Sequence, residues 1–367
     1  MSVHLDAMLD RRLVVCVGPG GVGKTTSAAA LALRAARSGR RALVLTIDPA
    51  RRLADALGLD GLDDTIRVVA GEPNLSAAML DTKASYDALM GRIAEGDARD
   101  AILGNRVYQA FSKTLARSHA YVAAERLYDV LEARAHDLVV LDTPPTRSAL
   151  EILDAPHQLA RFLDDDVLRF FLKRDDSLVG SLASLASAGG RAALKLLGRL
   201  AGEDVTEELL GFFTLLADQR EGFLERARAT AATLRDPATG YVLVASTSST
   251  SLEDARALAT ELGERHRVPG LFLFNRAYVA EPGAATPLVG AGSELAAGTP
   301  ADLEPAAAEL RELRERLAAR QRGALEAAAR FRDTIAVDAP ALAVAEAEGD
   351  IRTLKGLGEL LDRSVPI

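Results

Sequence analysis

An α/β fold, with a parallel doubly wound sheet and an all-helical subdomain inserted into it, is what the sequence predicts, and three observations predict it. Short apolar runs rich in Val, Leu and Ile recur along the chain, each followed by a stretch of helical character. The first run leads into a glycine-rich segment that opens directly into a helix. Residues 155–235 carry helical periodicity and no credible strand, so they form a layer separate from the sheet.

The first strand is Leu13–Val17, β-branched and uninterrupted, and the helix from Thr25 to Arg37 is rich in Ala and Leu with no breaker before Gly39. A second strand spans Arg41–Ile47 and delivers Asp48-Pro49-Ala50-Arg51-Arg52 to the edge where α/β sheets bind ligands. A short helix at Leu53–Leu57 and strands at Ile66–Val69 and Leu75–Leu80 follow. Helical spacing runs from Ala84 to Ala135, with breaks near Gly96 and Gly104. The sheet returns at Leu138–Asp142; Thr143-Pro-Pro-Thr-Arg147 is too rich in breakers to continue it, and a helix resumes through Leu153. After the helical block come a strand at Tyr241–Ala245, a helix at Leu252–Arg265 and a strand at Leu271–Asn275. Residues 279–301 read as a surface loop, Leu303–Phe331 as a charged helix, Thr334–Asp338 as the last strand and Ile351–Leu361 as a closing helix. The expected core is therefore residues 1–83, 138–154 and 236–367, and the expected helical subdomain is 84–137 and 155–235.

A net charge of −8 argues against a nucleic-acid surface, which needs clustered Lys and Arg. The single cysteine, Cys16, sits inside the first strand; it permits no internal disulfide and no thiolate cluster, and it fits a cytoplasmic, reducing compartment. No signal-peptide pattern follows the N-terminal charges, and no apolar run reaches the ~18 residues of a membrane span.

Gly18-Pro-Gly-Gly-Val-Gly-Lys-Thr-Thr26 has the spacing of a phosphate-binding loop between a strand and a helix, the phosphate-loop NTPase type of sheet. Glycines let successive N–H groups converge on phosphate oxygens, and the helix N-terminus adds partial positive charge. Lys24 reaches the β- and γ-phosphates, and the Thr25 hydroxyl holds Mg²⁺. Asp142, at the end of an apolar strand, is placed beside that metal. Asp48 is placed to polarise an attacking water; a helix N-cap or Asx turn before Pro49 is the alternative reading.

These segments resemble the deviant phosphate-loop ATPases of the arsenical pump-driving and tail-anchored-protein-targeting family. The resemblance rests on residues 18–26, on Asp48-Pro49-Ala50 and on Asp142-Thr143-Pro144-Pro145-Thr146, and it is weakest across the helical insert. It implies ATP and ADP as ligands of Gly18, Gly20, Gly21, Val22, Gly23, Lys24, Thr25 and Thr26, with Asn275 and Pro340 beside the adenine. It implies Mg²⁺ on Thr25 and, through water, on Asp142, and catalytic roles for Lys24 and Asp48. Asn275 on its own residues reads equally as a strand-end turn. The family's second, interface-crossing Lys is replaced by Pro19, with Arg51 and Arg147 the nearest substitutes.

The activity implied is a Mg²⁺-dependent ATPase whose ATP-gated dimer, with itself or a paralogue, presents a helical surface to a membrane-protein or hydrophobic cargo. Two alternatives stay open: the soluble ATPase subunit of an arsenite or anion efflux pump, and a weakly hydrolysing structural partner of a paralogous ATPase. The uncharged segment Ser177–Gly190 and the leucines after it form either a cargo groove or plain packing.

Overall fold

A computed structural model describes residues 2–48, 52–80, 119–164, 221–222, 224–277, 304–347, 349 and 351–367. The apolar runs form β1 (Leu13–Val17), β2 (Ala42–Thr46), β3 (Arg67–Val69), β4 (Glu72–Met79), β5 (Leu138–Asp142), β6 (Gly240–Ser246), β7 (Leu271–Ala277), β8 (Ala341–Ala345) and β9 (Ser364–Pro366). They make one sheet in the order β3-β4-β2-β5-β1-β6-β7-β8-β9. From β4 to β8 every neighbouring pair is parallel. The two outermost pairs, β3 with β4 and β8 with β9, are antiparallel. Every residue of β1, β2 and β5 is buried, as a parallel strand covered on both faces requires.

The helices are α1 (Ser2–Leu9), α2 (Lys24–Arg37), α3 (Arg52–Leu57), α4 (His119–Glu132), α5 (Thr146–Asp164), α6 (Ser249–Glu264), α7 (Glu304–Ile335) and α8 (Leu354–Asp362). Ten residues of α2 are buried, six of them alanines; small side chains let the helix lie close to the sheet under α8. The Ser248 hydroxyl accepts from the Ser251 N–H and caps α6, and Thr353 does the same for the Gly356 N–H at α8.

The chain divides into two compact units: Met1–Met79 with Arg134–Ala149 and Arg235–Ile367, and Leu80–Ala133 with Leu150–Leu234. The first contains the whole sheet. In the second, the Arg226 guanidinium is 2.6 Å from both Glu125 and Asp129 and lies 4.5 Å above the Tyr128 ring, joining α4 to helical residues 224–235. Most of the helical stretches expected at 84–135 and 155–235, the Ser177–Gly190 segment and the loop expected at 279–301 lie outside the described residues.

The far edge of the sheet corrects the sequence reading. Thr334–Asp338 is not the last strand: α7 continues to Ile335, and the strand is Ala341–Ala345. Phe331 is 1% exposed and meets Phe272 and Phe274 of β7 edge-on, with ring centroids 6.0 Å away in each case. That contact seats the last turns of the helix on the sheet. The Thr334 hydroxyl donates back to the Phe331 carbonyl, and Val337 is 63% exposed, which a core strand would not allow. The alanine-rich β8 carries little β-propensity of its own and is made a strand by pairing with β7 and β9. The sequence reading also lacks β9 and α1.

Candidate functional site: the loop after the first strand

The loop is wedged against its neighbours by two glycines. Gly18, at the end of β1, has φ +156°, and a Cβ there would stand 2.0 Å from the Val244 carbonyl oxygen of β6. Gly23 caps α2 with φ +89°, and a Cβ there would stand 2.2 Å from Asn275 Nδ2. Only glycine fits either position. Asn275 Nδ2 donates to the Val22 carbonyl at 2.9 Å in a buried contact, so β7 braces the loop from the side.

Lys24 opens α2, yet its side chain is 7% exposed and its Nζ donates to the Pro19 carbonyl at 2.7 Å across the loop. Burial pushes the ammonium down from its ordinary range, Asp142 and Asp48 oppose that, and Arg52 adds to it. Asp142 ends β5 in register with Cys16 of β1 and Thr46 of β2 and is fully buried. Thr46 Oγ1 donates to its Oδ2 at 2.8 Å, while its Oδ1 has no partner among the described residues. Burial raises the carboxyl to about 6; the Thr46 and Thr25 hydroxyls and Lys24 oppose the rise, and Asp48 adds to it. Next door, Thr143 Oγ1 donates to the Cys16 carbonyl and fixes the turn after β5.

Asp48 follows β2 with its backbone N–H on Thr46 Oγ1 at 3.2 Å and its Oδ2 3.6 Å from Arg52 Nη1. Lys24, Thr25, Thr26 and Asp48 line a cavity of about 330 Å³ with Gly21 and Gly23. Thr143 and Pro145 line it from the β5 turn. Three arginines absent from the expected set, Arg52, Arg276 and Arg352, also line it.

Of the residues expected from sequence, the loop, Asp48 and Asp142 are brought together. Asn275 reaches the loop as a brace. Pro340 does not reach the site and corrects the expectation. It precedes β8, where its carbonyl accepts from the Phe272 N–H at the N-terminal end of β7. In a parallel sheet that is the edge opposite the loop, roughly 16 Å away along a five-residue strand. Chain from the loop after β8, Ile351 and Arg352, lines the cavity instead. Pro49, Ala50 and Arg51 lie outside the described residues, as does the side chain of Arg147. The signal that reveals Arg52 is its place four residues after Asp48, on the first turn of a helix, the spacing at which two side chains meet. Arg276 follows the strand-end Asn275 at φ +54°, where the β7–β8 register shifts; sequence spacing carries no trace of that bulge.

The donors fit Mg²⁺. A buried carboxylate oxygen without a protein partner and a hydroxyl at a helix N-terminus are hard oxygen ligands, and Mg²⁺ keeps several waters around one or two of these. Among the described residues no group of three or more His, Cys, Asp or Glu gathers, as a protein-caged metal would need.

Comparison with known proteins finds related chains. "ATPase get3" of Botryotinia fuckeliana is 32% identical over 162 residues, 43% of this chain and 47% of that protein. "ATPase ASNA1 homolog 1" of Paramecium tetraurelia is 31% identical over 147 residues, 40% of this chain and 44% of that one. An uncharacterized Streptomyces coelicolor protein is 33% identical over 201 residues, 54% of this chain and 47% of that one. The chain thus spans about half the length of the curated relatives it matches. The profile described as "Anion-transporting ATPase" matches residues 11–281, which include the loop, both acids and Asn275, and the chain belongs to that family.

Proposed function

We propose that this chain hydrolyses ATP with Mg²⁺ and uses its nucleotide state to gate pairing with a second subunit, presenting a helical surface to a protein or hydrophobic cargo. The observation that carries the reading is a loop-lined cavity walled by Lys24, Thr25 and Asp48, with the buried Asp142 carboxyl behind it, near enough to the Thr25 hydroxyl, Lys24 and Asp48 to feel all three. The loop amides and Lys24 hold the β- and γ-phosphates at the N-terminus of α2. Thr25 and Asp142 would hold Mg²⁺, which would supply charge neutralisation at those oxygens. Asp48 accepts a hydrogen bond from a water aligned with the γ-phosphorus. Water oxygen bonds to phosphorus, the bond to the β–γ bridging oxygen breaks, and the products are ADP, inorganic phosphate and, at neutral pH, a released proton. That the fungal relatives carry the name ATPase supports the same reading.

Phosphate release by the purified protein tests it. Asp48→Asn should bind ATP at least as tightly as the wild type and lose turnover by about 10²–10⁴-fold. Lys24→Ala should lose nucleotide binding in calorimetry. Unchanged turnover in Asp48→Asn would return that residue to a turn-forming role, and unchanged affinity in Lys24→Ala would end the assignment of the loop.

The family's description favours a second reading, the motor of an anion pump. Thiols select trivalent metalloids, and Cys16 is wholly buried with its thiol pushed up by that burial and by Asp142. Arsenite or antimonite should therefore leave turnover unchanged. A third reading, a slow structural partner of a more active paralogue, is favoured by Pro19, which supplies no side-chain charge at the loop.

A further inference from the structure

Like Lys24, Arg52 is a cation of the cavity wall at the first position of a helix; unlike Lys24, it is exposed. It opens α3, where the partial positive charge of the helix N-terminus disfavours a cation. Its side chain is 62% exposed and has few packing constraints, yet it turns back to Asp48 at 3.6 Å and lies near enough to Lys24 to depress that ammonium. Asp48, Lys24, Thr25 and Arg52 all face the same 330 Å³ space. A pair of this length with an exposed cation on one side is weak and easily exchanged. A terminal phosphate offers more negative charge than one carboxylate, and a fork of oxygens that a guanidinium matches with two parallel hydrogen bonds.

We propose that Arg52 exchanges partners, leaving the Asp48 carboxylate for the γ-phosphate when the nucleotide has one. This rests on the reading of the cavity as an ATP site and adds to it a device for telling ATP from ADP. While the Arg52 pair holds, Asp48 Oδ2 faces a cation rather than a water. Once the guanidinium has moved, the same oxygen is released from that pair to accept from the attacking water, and the guanidinium supplies positive charge at the γ-oxygens that Pro19 does not. ADP lacks the group that draws Arg52 away, so the pair re-forms after phosphate leaves. Substrate arrival and activation of the acceptor thus become one event, carried by a single side chain.

The test compares AMP-PNP with ADP, both with Mg²⁺, by calorimetry on the full chain, together with phosphate release from ATP. Arg52→Ala should weaken AMP-PNP about 10-fold or more, leave ADP within about 2-fold and slow turnover by about 10²–10³-fold. Arg52→Lys should recover part of the AMP-PNP affinity but little of the rate, because an ammonium lacks the fork. Asp48→Asn should tighten AMP-PNP in the wild-type background and not in the Arg52→Ala background, a coupling that a packing role for Arg52 would not produce. Equal losses for both nucleotides, or an unchanged ratio with wild-type turnover, would overturn the exchange. A wild-type protein that bound neither nucleotide would instead overturn the ATP reading beneath it.

Discussion

Asp142 carries the most displaced acid of the site, and the sign of its effect on stability follows from the direction of displacement. In the folded chain burial holds the proton until about pH 6, whereas an exposed Asp releases it near 4. This group therefore favours folding at acid pH, and its contribution is lost as pH rises through about 6. Asp142→Asn should raise the melting temperature at pH 7.5 without metal, by an amount equivalent to about 2–3 kcal/mol. Adding Mg²⁺ and ATP should then stabilise the wild type more than the variant. A variant less stable than wild type at pH 7.5, with no such difference on adding ligand, would contradict this account. Proton competition at the same carboxyl also predicts that Mg²⁺ affinity, measured by titration with ATP present, falls as pH drops below about 6. At this scale the sequence was informative wherever a residue's place is set by backbone: Lys24 and Thr25 follow from the loop, and Asp142 from the end of an apolar strand. Where a side chain's direction decides, it was less informative: Arg52 was placed at the ligand edge but given no role, and Arg276 went unnamed beside Asn275.

Elements whose pattern agrees with their packing were legible, and the exceptions share a cause. Five strands around the loop are dense in β-branched or large apolar residues, and each lies where its sequence reads. Along the far side of the sheet, local propensity and tertiary contact disagree. Thr334-Ile-Ala-Val337 looks like a strand, but Phe331 anchors the helix preceding it between two rings of β7, and the true strand is alanine-rich. The frame error put Pro340 at the loop edge, one strand length from where it lies, and hid Ile351 and Arg352. If the phenyl contact fixes this arrangement, Phe331→Ala should cost about 3–5 kcal/mol in chemical denaturation. It should slightly perturb nucleotide affinity through β7 and Asn275. A cost below about 1 kcal/mol would show that α7 is held by something other than that ring.

For the molecule as a whole, one phosphate-binding loop per chain, with Pro19 where the family's interface-crossing Lys would stand, makes the proposed nucleotide-gated pairing the readout to measure. Light scattering should report a twofold rise in mass with Mg²⁺ and AMP-PNP and none with ADP; a constant mass under both would remove the gated pair from the proposal. Which surfaces meet was not legible, because periodicity in the helical insert distinguishes an apolar face without saying what covers it. The sheet itself narrows the choice. Its outermost strands, β3 and β9, are three residues long; β3 exposes Arg67, and β9 ends on Pro366, which has no N–H to offer. A strand from a neighbouring copy finds almost no ladder to extend on either side. Among the described residues neither edge offers a long ladder for lengthening the sheet from chain to chain, so the proposed loop-borne pair would form apart from the edge-to-edge stacking that leads to fibres.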